Sequence, residues 1–437
     1  MKVMSGKIGR RNSASPADSD QCVTVLDIGS SKVCCLIARV DPAEACENPF
    51  SAERIHVVGF GNQESSGIKA GWISDISSAE DVIRSAVAEA ERMAGIEVKK
   101  VILPVSCGRI QSLNFAASHT VESDAVSESD IDNVFTAGYQ FATREGRTVL
   151  HMIPIGYTLD GTGGIQNPRG LAAEELTVDL HAVTADPQPL TNIGRVVDRC
   201  HLTVAGMVAA PYASGLAVID NEEANLGVAC IDIGGGTIKL SVFAEGHFIY
   251  ADALTLGGHY ITTDIARSLS MPVQEAERIK TLHGCAVSAP SDEQELISYQ
   301  AIGEDQFQLA EATQAQLGAL IRPRIEEMLD AIWERLEKSG CAGLAGQRVV
   351  LTGGSANIPG LADMAAQHLD KSVRIGRPTG ITGLPDIASR SDFSTTVGAL
   401  LCALQPRLKL NLGMDSGPDD PSPNYLRRMG QWFRESF

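Results

Sequence analysis

The sequence predicts an α/β protein built from two similar lobes. An apolar run that ends in Asp-Ile-Gly and continues into small residues occurs twice, at 23–32 and again at 228–237. A second apolar segment follows each run, so each copy is predicted to be a strand, a small-residue turn and a returning strand. Aromatic residues make up only 5 % of the chain, which favours the aliphatic core of sheets covered by helices. Duplication of this unit predicts two lobes that face each other.

The composition excludes several classes of protein. The 437 residues are expected to form about three domains or two large lobes. With 36 Lys and Arg residues against 54 Asp and Glu residues, the formal net charge is −18, so no nucleic-acid partner is expected. The ten cysteines form no Cys-x-x-Cys pair and are predicted to be buried structural thiols in a reducing compartment. No segment approaches the ~18 consecutive apolar residues that span a bilayer, so any membrane contact is expected to be peripheral.

The first lobe is predicted to be interrupted by an inserted α+β subdomain. A stripe of apolar residues over 79–94 predicts a helix that packs on the first sheet. Further along, the Ser-Glu-Ser-Asp segment at 127–130 fits a capping box ahead of a second helix. The segments 148–158 and 176–185 are typical of strands. We therefore expect the inserted subdomain at about 104–178.

The alternation of strands and helices continues in the second half. Helices are predicted at 271–282, 317–338 and 361–369, and a short strand at 348–351 leads into Thr-Gly-Gly-Ser at 352–355. Past residue 410 the chain becomes rich in Gly, Pro, Asp and Ser, which is typical of a linker. The predicted organisation is a flexible tail at 1–20, a first lobe at 21–103 and 179–210 around the insertion, a second lobe at 211–410, a linker at 411–424 and an amphipathic helix at 425–437.

The two repeated turns carry the chemistry of a phosphate site. In each turn an Asp at the end of a buried strand, Asp27 or Asp232, is followed by small residues whose backbone N–H groups can cradle phosphate oxygens. Two carboxylates that converge on a polyphosphate repel it unless Mg²⁺ and its waters lie between them. One such turn alone is more often a plain strand turn. Two copies, together with the turn at 352–355, predict a Mg²⁺-nucleotide site.

These motifs resemble those of a known superfamily. The turns that begin at Asp27 and Asp232 and the segment 351–355 are similar to the two phosphate loops and the adenosine loop of the actin, heat-shock-70 and sugar-kinase superfamily. Further segments resemble the FtsA family of bacterial cell-division proteins. These segments are 257–258, 263–266, 276–280, 284–286, 373–376, 381–384 and 432–437.

The resemblance implies an actin-like fold that binds ATP and Mg²⁺ in the cleft between its lobes. It also implies that the insertion replaces the usual small subdomain of the first lobe, and that Asp27 and Asp232 are both the metal ligands and the catalytic carboxylates. The residues implied to contact the nucleotide are Gly29, Ser30, Ser31 and Lys32 on one side of the phosphates, Gly234, Gly235, Gly236 and Thr237 on the other, Glu277 and Lys280 at the ribose, and Gly353, Gly354 and Ser355 at the adenine. For Lys32, an ordinary solvated charge is the alternative.

One departure from the resemblance concerns hydrolysis. Related filament-forming bacterial actins carry Glu-Glu-Pro where this chain has Ala209-Ala210-Pro211, so no side chain there can orient the attacking water. The protein is therefore expected to be at most a slow ATPase. If this short segment is aligned a few residues out of place, the acidic turn containing Asp220, Glu222 and Glu223 becomes the alternative source of a base.

The C-terminal segment is predicted to be an amphipathic membrane-binding helix. At 100° per residue its apolar side chains fall on one side and its arginines on the other. A helix of about 13 residues is marginal alone in water, so an anionic membrane surface is expected to fold it, with docking on the protein itself as the alternative. The residues expected to enter the membrane are Leu426, Met429, Trp432, Phe433 and Phe437.

The resemblance also implies the partners. An FtsA-like protein polymerises and ties the tubulin-like protein FtsZ to the inner face of the cytoplasmic membrane at the division septum, and it recruits later divisome proteins. The FtsZ C-terminal peptide would bind the smaller subdomain of the second lobe, about 255–335, at Arg324, although Arg322 and Arg324 are also compatible with solvated helix charges. Two other functions stay open. A small-molecule kinase of the same superfamily would need a carboxylate base that does not stand out, and an actin-like pilus-assembly scaffold would not explain the tail.

Overall fold

The computed structural model describes residues 22–41, 54–303 and 309–404. The strands and helices of the first half are, in chain order, β1 (Cys22–Ile28), β2 (Lys32–Val40), β3 (Ile55–Glu64), β4 (Ile68–Lys69), β5 (Trp72–Ile73), α1 (Ile76–Ala94), β6 (Lys100–Val105), β7 (Gln111–Thr120), α2 (Glu128–Ala142), β8 (Thr148–Leu159), β9 (Thr162–Ile165), β10 (Glu175–Ala185), α3 (Pro187–Arg199) and β11 (Thr203–Ala209).

The elements of the second half complete the second lobe and cross back to the first. They are α4 (Ala210–Val218), α5 (Asn221–Leu226), β12 (Val228–Ile233), β13 (Ile238–Ala244), β14 (His247–Leu254), α6 (Gly258–Ser268), α7 (Val273–His283), β15 (Leu296–Tyr299), β16 (Ala310–Thr313), α8 (Gln314–Lys338), β17 (Arg348–Thr352), α9 (Leu361–Leu369), β18 (Ser372–Ile375) and α10 (Ser394–Leu404).

The two main sheets share one topology. The first sheet has the order β11-β6-β1-β2-β3 and the second has the order β18-β17-β12-β13-β14. In each, a central strand forms an antiparallel hairpin with the next strand and pairs in parallel with a later one. The hairpin turns therefore occupy the same place in both sheets. This confirms the predicted two-lobed α/β fold with a duplicated unit.

Local sequence signals explain where the helices begin. The helix predicted at 79–94 starts three residues earlier, because the side chain of Asp75 accepts the Ser78 N–H at 2.7 Å and caps it. It ends at Gly95, which adopts the left-handed conformation that favours glycine. The capping box predicted at 127–130 is present, with Ser127 and Asp130 bonded to each other's backbone N–H groups.

The predicted insertion forms a separate four-stranded sheet. Its order is β7-β10-β8-β9, and α2 packs on β7 and β10. The boundaries expected at 104 and 178 fall inside β6 and β10. Strand β7 faces β14 at the edge of the second sheet, where Ser112 Oγ donates to the Ala251 carbonyl at 3.1 Å and Asn114 Nδ2 to the Ile249 carbonyl at 3.0 Å. The insertion is thus bonded to the second lobe as well as to the first.

Helices α4 and α10 join the two lobes. They cross in direct backbone contact, since a Cβ on Gly398 would lie only 1.7 Å from the Ala213 carbonyl oxygen. α10 also contacts β1, β2 and β6 of the first sheet, and α4 contacts β12 and β13 of the second. The first turn of α10 consequently lies at the floor of the cleft between the lobes. Within the described residues, no helix is long and apolar enough to cross a membrane.

Candidate nucleotide site

The two hairpin turns have the same backbone closure. In the first loop the Gly29 N–H donates to the Lys32 carbonyl at 3.0 Å, and in the second the Gly234 N–H donates to the Thr237 carbonyl at 2.9 Å. Each loop leaves the carboxyl end of a buried central strand, β1 or β12. The sequence repeat therefore corresponds to a repeat of conformation.

The two loops face each other across the cleft. A Cβ on Gly235 would lie 1.9 Å from Ser31 Oγ, and one on Gly236 would lie 2.5 Å from Ser30 Oγ. These glycines have no room for a side chain because the serines of the opposite lobe lie against them. The structure thus brings together the small residues that the resemblance assigned to opposite sides of the phosphates.

His259 bridges the two loops, and sequence reasoning missed it. Its backbone N–H donates to the Gly235 carbonyl at 2.8 Å, while its Nε2 lies 3.2 Å from the Ser30 carbonyl oxygen and 3.3 Å from Ser31 Oγ. The residue is in the first turn of α6, so that helix begins at the meeting point of the loops. The Gly-Gly-His sequence at 257–259 was the available signal.

The two carboxylates at the base of the loops are not equivalent. Asp232 Oδ2 accepts from Ser214 Oγ at 2.5 Å, Thr395 Oγ1 at 2.8 Å and Lys239 Nζ at 2.9 Å. Burial alone would raise the pKa of Asp232, but the Lys239 charge and these hydrogen bonds outweigh burial and lower it.

Asp27 has fewer partners than Asp232. Thr396 Oγ1 donates to its Oδ2 at 2.8 Å, and no ion pair to Asp27 forms among the residues that the structure describes. Burial accordingly raises the pKa of Asp27, although the nearby Lys239 charge opposes the rise. The adjacent residues Thr395 and Thr396 therefore tie the first turn of α10 to one carboxylate of each lobe, an arrangement that the sequence did not reveal.

Lys32 leaves the phosphate loop and turns to the floor of the cleft. Its Nζ donates to Asp392 Oδ2 at 2.8 Å and lies 3.1 Å from the centre of the Phe393 ring. Burial lowers the pKa of Lys32, and the Asp392 carboxylate opposes the change. Its contact with the phosphates stays a prediction.

The residues assigned to ribose and adenine converge on the second lobe. Glu277 and Lys280, on α7, form an ion pair at 2.7 Å, and Lys280 Nζ also donates to Thr262 Oγ1 at 2.8 Å. A Cβ on Gly258 would lie 2.4 Å from Ser355 Oγ and 3.4 Å from Lys280 Nζ. The start of α6, the end of α7 and the 352–355 turn thus meet around one point.

The 352–355 turn depends on a glycine. Gly353 has φ 89°, in the left-handed region, and a Cβ there would lie 2.4 Å from Asp232 Oδ1. Gly354 opens the 3₁₀ turn Gly354–Asn357, and its Cβ position is 3.7 Å from the Cβ of Asp392. The turn therefore links the carboxylate of the second loop to the segment that precedes α10.

Comparisons of the sequence with known proteins point to one family. Residues 229–398 match the family model "Cell division protein FtsA", and residues 107–184 match "SHS2 domain inserted in FTSA". The chain is 44 % identical over 420 residues to cell division protein FtsA of Agrobacterium fabrum, covering 95 % of both chains. It is 30 % identical over 429 residues to the FtsA of Escherichia coli K12, covering 96 % of this chain and 99 % of the relative.

The chain belongs to the FtsA family. The resemblance inferred from the sequence motifs is therefore confirmed, and the insertion carries that family's SHS2 domain. Among solved structures, a chain of the PilM-PilN type IV pilus biogenesis complex superposes with a TM-score of 0.62 at 15 % identity, over 88 % of this chain and 99 % of that chain. MreB5 of Spiroplasma citri bound to ADP superposes with a TM-score of 0.51 at 14 % identity, over 88 % and 96 %. These two likenesses show the actin-like fold.

The structure places no carboxylate where this FtsA-family chain replaces Glu-Glu-Pro. Ala209 ends β11, is buried, and donates its backbone N–H to His151 Nε2 at 2.8 Å. The alternative acidic turn is engaged elsewhere, because Asp220 and Glu223 cap α5 and Glu223 forms an ion pair with Arg374 at 2.5 Å. Asp220 and Glu223 are thus engaged elsewhere, whereas Glu222 is exposed on α5, and slow hydrolysis stays a prediction.

Two assigned regions remain predictions in this FtsA-family chain. Arg324, on α8, donates to Asp264 Oδ2 at 2.7 Å and to Glu327 at 2.5 Å, and its guanidinium lies 5.8 Å from the Tyr260 ring. It is partly exposed on the smaller subdomain of the second lobe. The linker and the amphipathic segment, including all five residues expected to enter the membrane, lie outside the described residues.

Proposed function

We propose that this chain binds ATP between its lobes, polymerises on the inner face of the cytoplasmic membrane and there tethers FtsZ at the division septum. It would also recruit later divisome proteins through the inserted subdomain. The observation that carries the proposal is the meeting of the two phosphate loops, Ser31 against Gly235 and Ser30 against Gly236, in a chain of the FtsA family. That contact makes lobe closure and phosphate binding depend on the same residues.

The choice of ATP rests on the fold and on the second-lobe residues. A structure with the same fold, MreB5 of Spiroplasma citri, is described as bound to ADP. Here Lys280 is buried, and its Nζ and Ser355 Oγ both lie close to the position of a Cβ on Gly258, so polar groups meet at the point where the resemblance implies the ribose. The N–H groups of Gly29 and Gly234 close the two turns, and those at the start of α6 donate to backbone carbonyls, so the backbone N–H groups that suit the charge of a polyphosphate are those of the small residues within the turns.

The predicted bridging Mg²⁺ is not supported by the donor set. Asp232 Oδ2 already accepts three hydrogen bonds, one of them from the Lys239 ammonium. Mg²⁺ requires near-octahedral oxygen ligands and does not share its position with an ammonium group. We therefore attribute no role to a metal held between the two carboxylates.

Membrane attachment is proposed to come from the C-terminal segment. Partial burial of five apolar side chains, at up to ~1.5–3 kcal/mol for each fully buried one, would give several kcal/mol before the cost of ordering the segment. A single tail would then bind reversibly. Linking many tails in one filament raises the effective concentration of each and strengthens attachment by a factor of ~10²–10⁴.

The proposal is tested by sedimenting the protein with vesicles of phosphatidylethanolamine and phosphatidylglycerol in the presence of ATP and FtsZ. We expect wild-type protein to pellet and to carry FtsZ with it, and Trp432→Glu to stay in the supernatant because a carboxylate interrupts the apolar side of the helix. Leu226→Glu is the matched control, since Leu226 is 73 % exposed on the body of the protein. Pelleting of Trp432→Glu, or equal pelleting of FtsZ without this protein, would contradict the proposal.

The FtsZ site is tested in the same assay with Arg324→Ala. Because Asp264 and Glu327 already pair with Arg324, a peptide carboxylate would have to compete with them for the guanidinium. We expect Arg324→Ala to pellet normally but to carry much less FtsZ. Arg322→Ala, two residues away on the same helix, should carry FtsZ as the wild type does. Equal effects of the two variants would argue against a specific role for Arg324.

A further inference from the structure

The repeated hairpins differ at one buried position. In the first hairpin Asp27 is directly opposite Cys34, and in the second Asp232 is directly opposite Lys239. Both partners are buried or nearly so, with Cys34 at 0 % exposure and the Lys239 side chain at 13 %. The same place in the duplicated unit therefore holds a neutral thiol in one lobe and a cation in the other.

The Lys239 ammonium lies under the second phosphate loop. Its Nζ donates to Asp232 Oδ2 at 2.9 Å and to Thr395 Oγ1 at 3.0 Å. The same atom is 3.8 Å from the position of a Cβ on Gly234, the residue that opens the loop. An ammonium group has three protons to donate, and the described residues accept two of them.

The charge of Lys239 acts on both carboxylates. It is paired with Asp232, and among the charges around Asp27 it is the strongest influence that lowers the pKa of that group. The other lysine of this region, Lys32, is bound to Asp392. Lys239 thus supplies positive charge where two converging carboxylates would otherwise repel a polyphosphate.

We propose that Lys239 is the resident cation of this cleft, and that it contacts the phosphates of the bound nucleotide directly in place of a divalent ion bridging Asp27 and Asp232. This inference rests on the proposed binding of ATP. Lysine binds phosphate as a compact point charge, and Nζ of Lys239 lies 3.8 Å from the Cβ position of Gly234 in the loop. The ion pair between Lys239 and Asp232 also resists a second cation at the same point. Nucleotide affinity should therefore depend only weakly on Mg²⁺.

Calorimetric titration of ATP tests the proposal, in excess Mg²⁺ and in excess EDTA. We expect the affinity of the wild-type protein to change by less than about threefold between the two conditions. Lys239→Met should weaken ATP binding in EDTA by about 10–100-fold, which corresponds to the loss of a hydrogen bond to a charged group. Lys239→Arg should restore most of that affinity, and Lys99→Met, an exposed lysine of the first lobe, should bind as the wild type does.

A second variant separates a loss of ATP binding from a loss of folding. Lys239→Met leaves Asp232 buried without its countercharge, so Lys239→Met/Asp232→Asn, which buries no charge at this point, is measured beside it. Both should show the same loss in EDTA. Two results would overturn the proposed role of Lys239 without affecting the proposed nucleotide site. One is a loss of ATP affinity of more than about tenfold for the wild-type protein on removal of Mg²⁺. The other is unchanged ATP affinity of a folded Lys239→Met variant in EDTA. Absence of ATP binding to wild-type protein in both conditions would overturn the proposed nucleotide site as well.

Discussion

The two repeated aspartates should respond in opposite ways to the same substitution. Asp232→Asn removes the countercharge of Lys239, whose side chain is only 13 % exposed. Removing one partner of a buried ion pair costs about 3–5 kcal/mol. Since Ser214 and Thr395 can still donate to the amide oxygen, we expect a cost near the lower end, about 3 kcal/mol. At roughly 2–4 °C per kcal/mol for a lobe of this size, the unfolding midpoint should fall by about 6–12 °C.

Asp27→Asn should be nearly neutral or slightly stabilising. The Thr396 hydroxyl donates a hydrogen bond to the Asp27 carboxylate. The amide oxygen of Asn can accept the same hydrogen bond. Because burial raises the pKa of Asp27, its ionised form costs stability at all pH values above its folded-state pKa. The cost is relieved as the pH falls through that value, or by the neutral amide. Ionisation of Asp232 has the opposite effect on stability. Because the pKa of Asp232 is lowered in the folded protein, its ionised form stabilises the fold, and this stability is lost only as the pH falls below about 3.8.

Thermal unfolding followed by circular dichroism compares the variants directly at pH 7. Asp232→Asn/Lys239→Met serves as the matched control, because it removes both charges and should recover much of the lost midpoint. Equal destabilisation by Asp27→Asn and Asp232→Asn, or a larger effect of Asp27→Asn, would show that Lys239 does not distinguish the two carboxylates.

Three further predictions concern the rest of the molecule. Burial lowers the pKa of His151 to about 3 and of His181 to about 4. The unfolded chain therefore binds protons more readily below about pH 6.5, and each histidine should lower the free energy of unfolding by about 2 kcal/mol between pH 7 and pH 5. His151→Gln should flatten the pH dependence of the unfolding midpoint, whereas the exposed His201→Asn should not. Gly353→Ala should lower the midpoint strongly, because left-handed strain of ~1–2 kcal/mol adds to overpacking of ~1–3 kcal/mol against the second loop; a midpoint within 2 °C of wild type, on the order of 1 kcal/mol, would contradict the crowding. Phosphate release should stay well below the ~1–100 s⁻¹ of metabolic kinases even in filaments, because Ala209 cannot orient water. A rate in that range would show that another group activates the water, and Glu222 would be the first to test.

Local patterns in the sequence predicted the elements that form the site. The two hairpins follow from strand periodicity and small turn residues, and the capping box at 127–130 follows from side chains three residues apart. The motifs also predicted that the glycines and serines of the two loops would face each other. These signals involve residues close together in the sequence, so they can be recognised without knowledge of the tertiary structure.

The floor of the cleft could not be predicted because its contacts join distant parts of the chain. Thr395 meets Asp232 across 163 residues and Thr396 meets Asp27 across 369. Nothing local marks Ser-Thr-Thr at the start of a helix as the group that holds both carboxylates. The role of Lys239 was equally hidden, since its importance depends on comparing the register of two hairpins.

Binding of ATP to the wild-type protein and to Gly235→Glu tests whether the two loops hold the nucleotide. The added side chain would start 1.9 Å from Ser31 Oγ and 3.1 Å from His259 Nε2, so it must force the two loops apart and put a carboxylate where phosphate approaches. Gly343→Glu is the matched control, because its Cβ position has no atom of the described residues within 4 Å. We expect one-to-one binding to wild-type protein and Gly343→Glu, and no measurable binding to a folded Gly235→Glu. Unchanged affinity of Gly235→Glu would contradict a nucleotide held between the two loops.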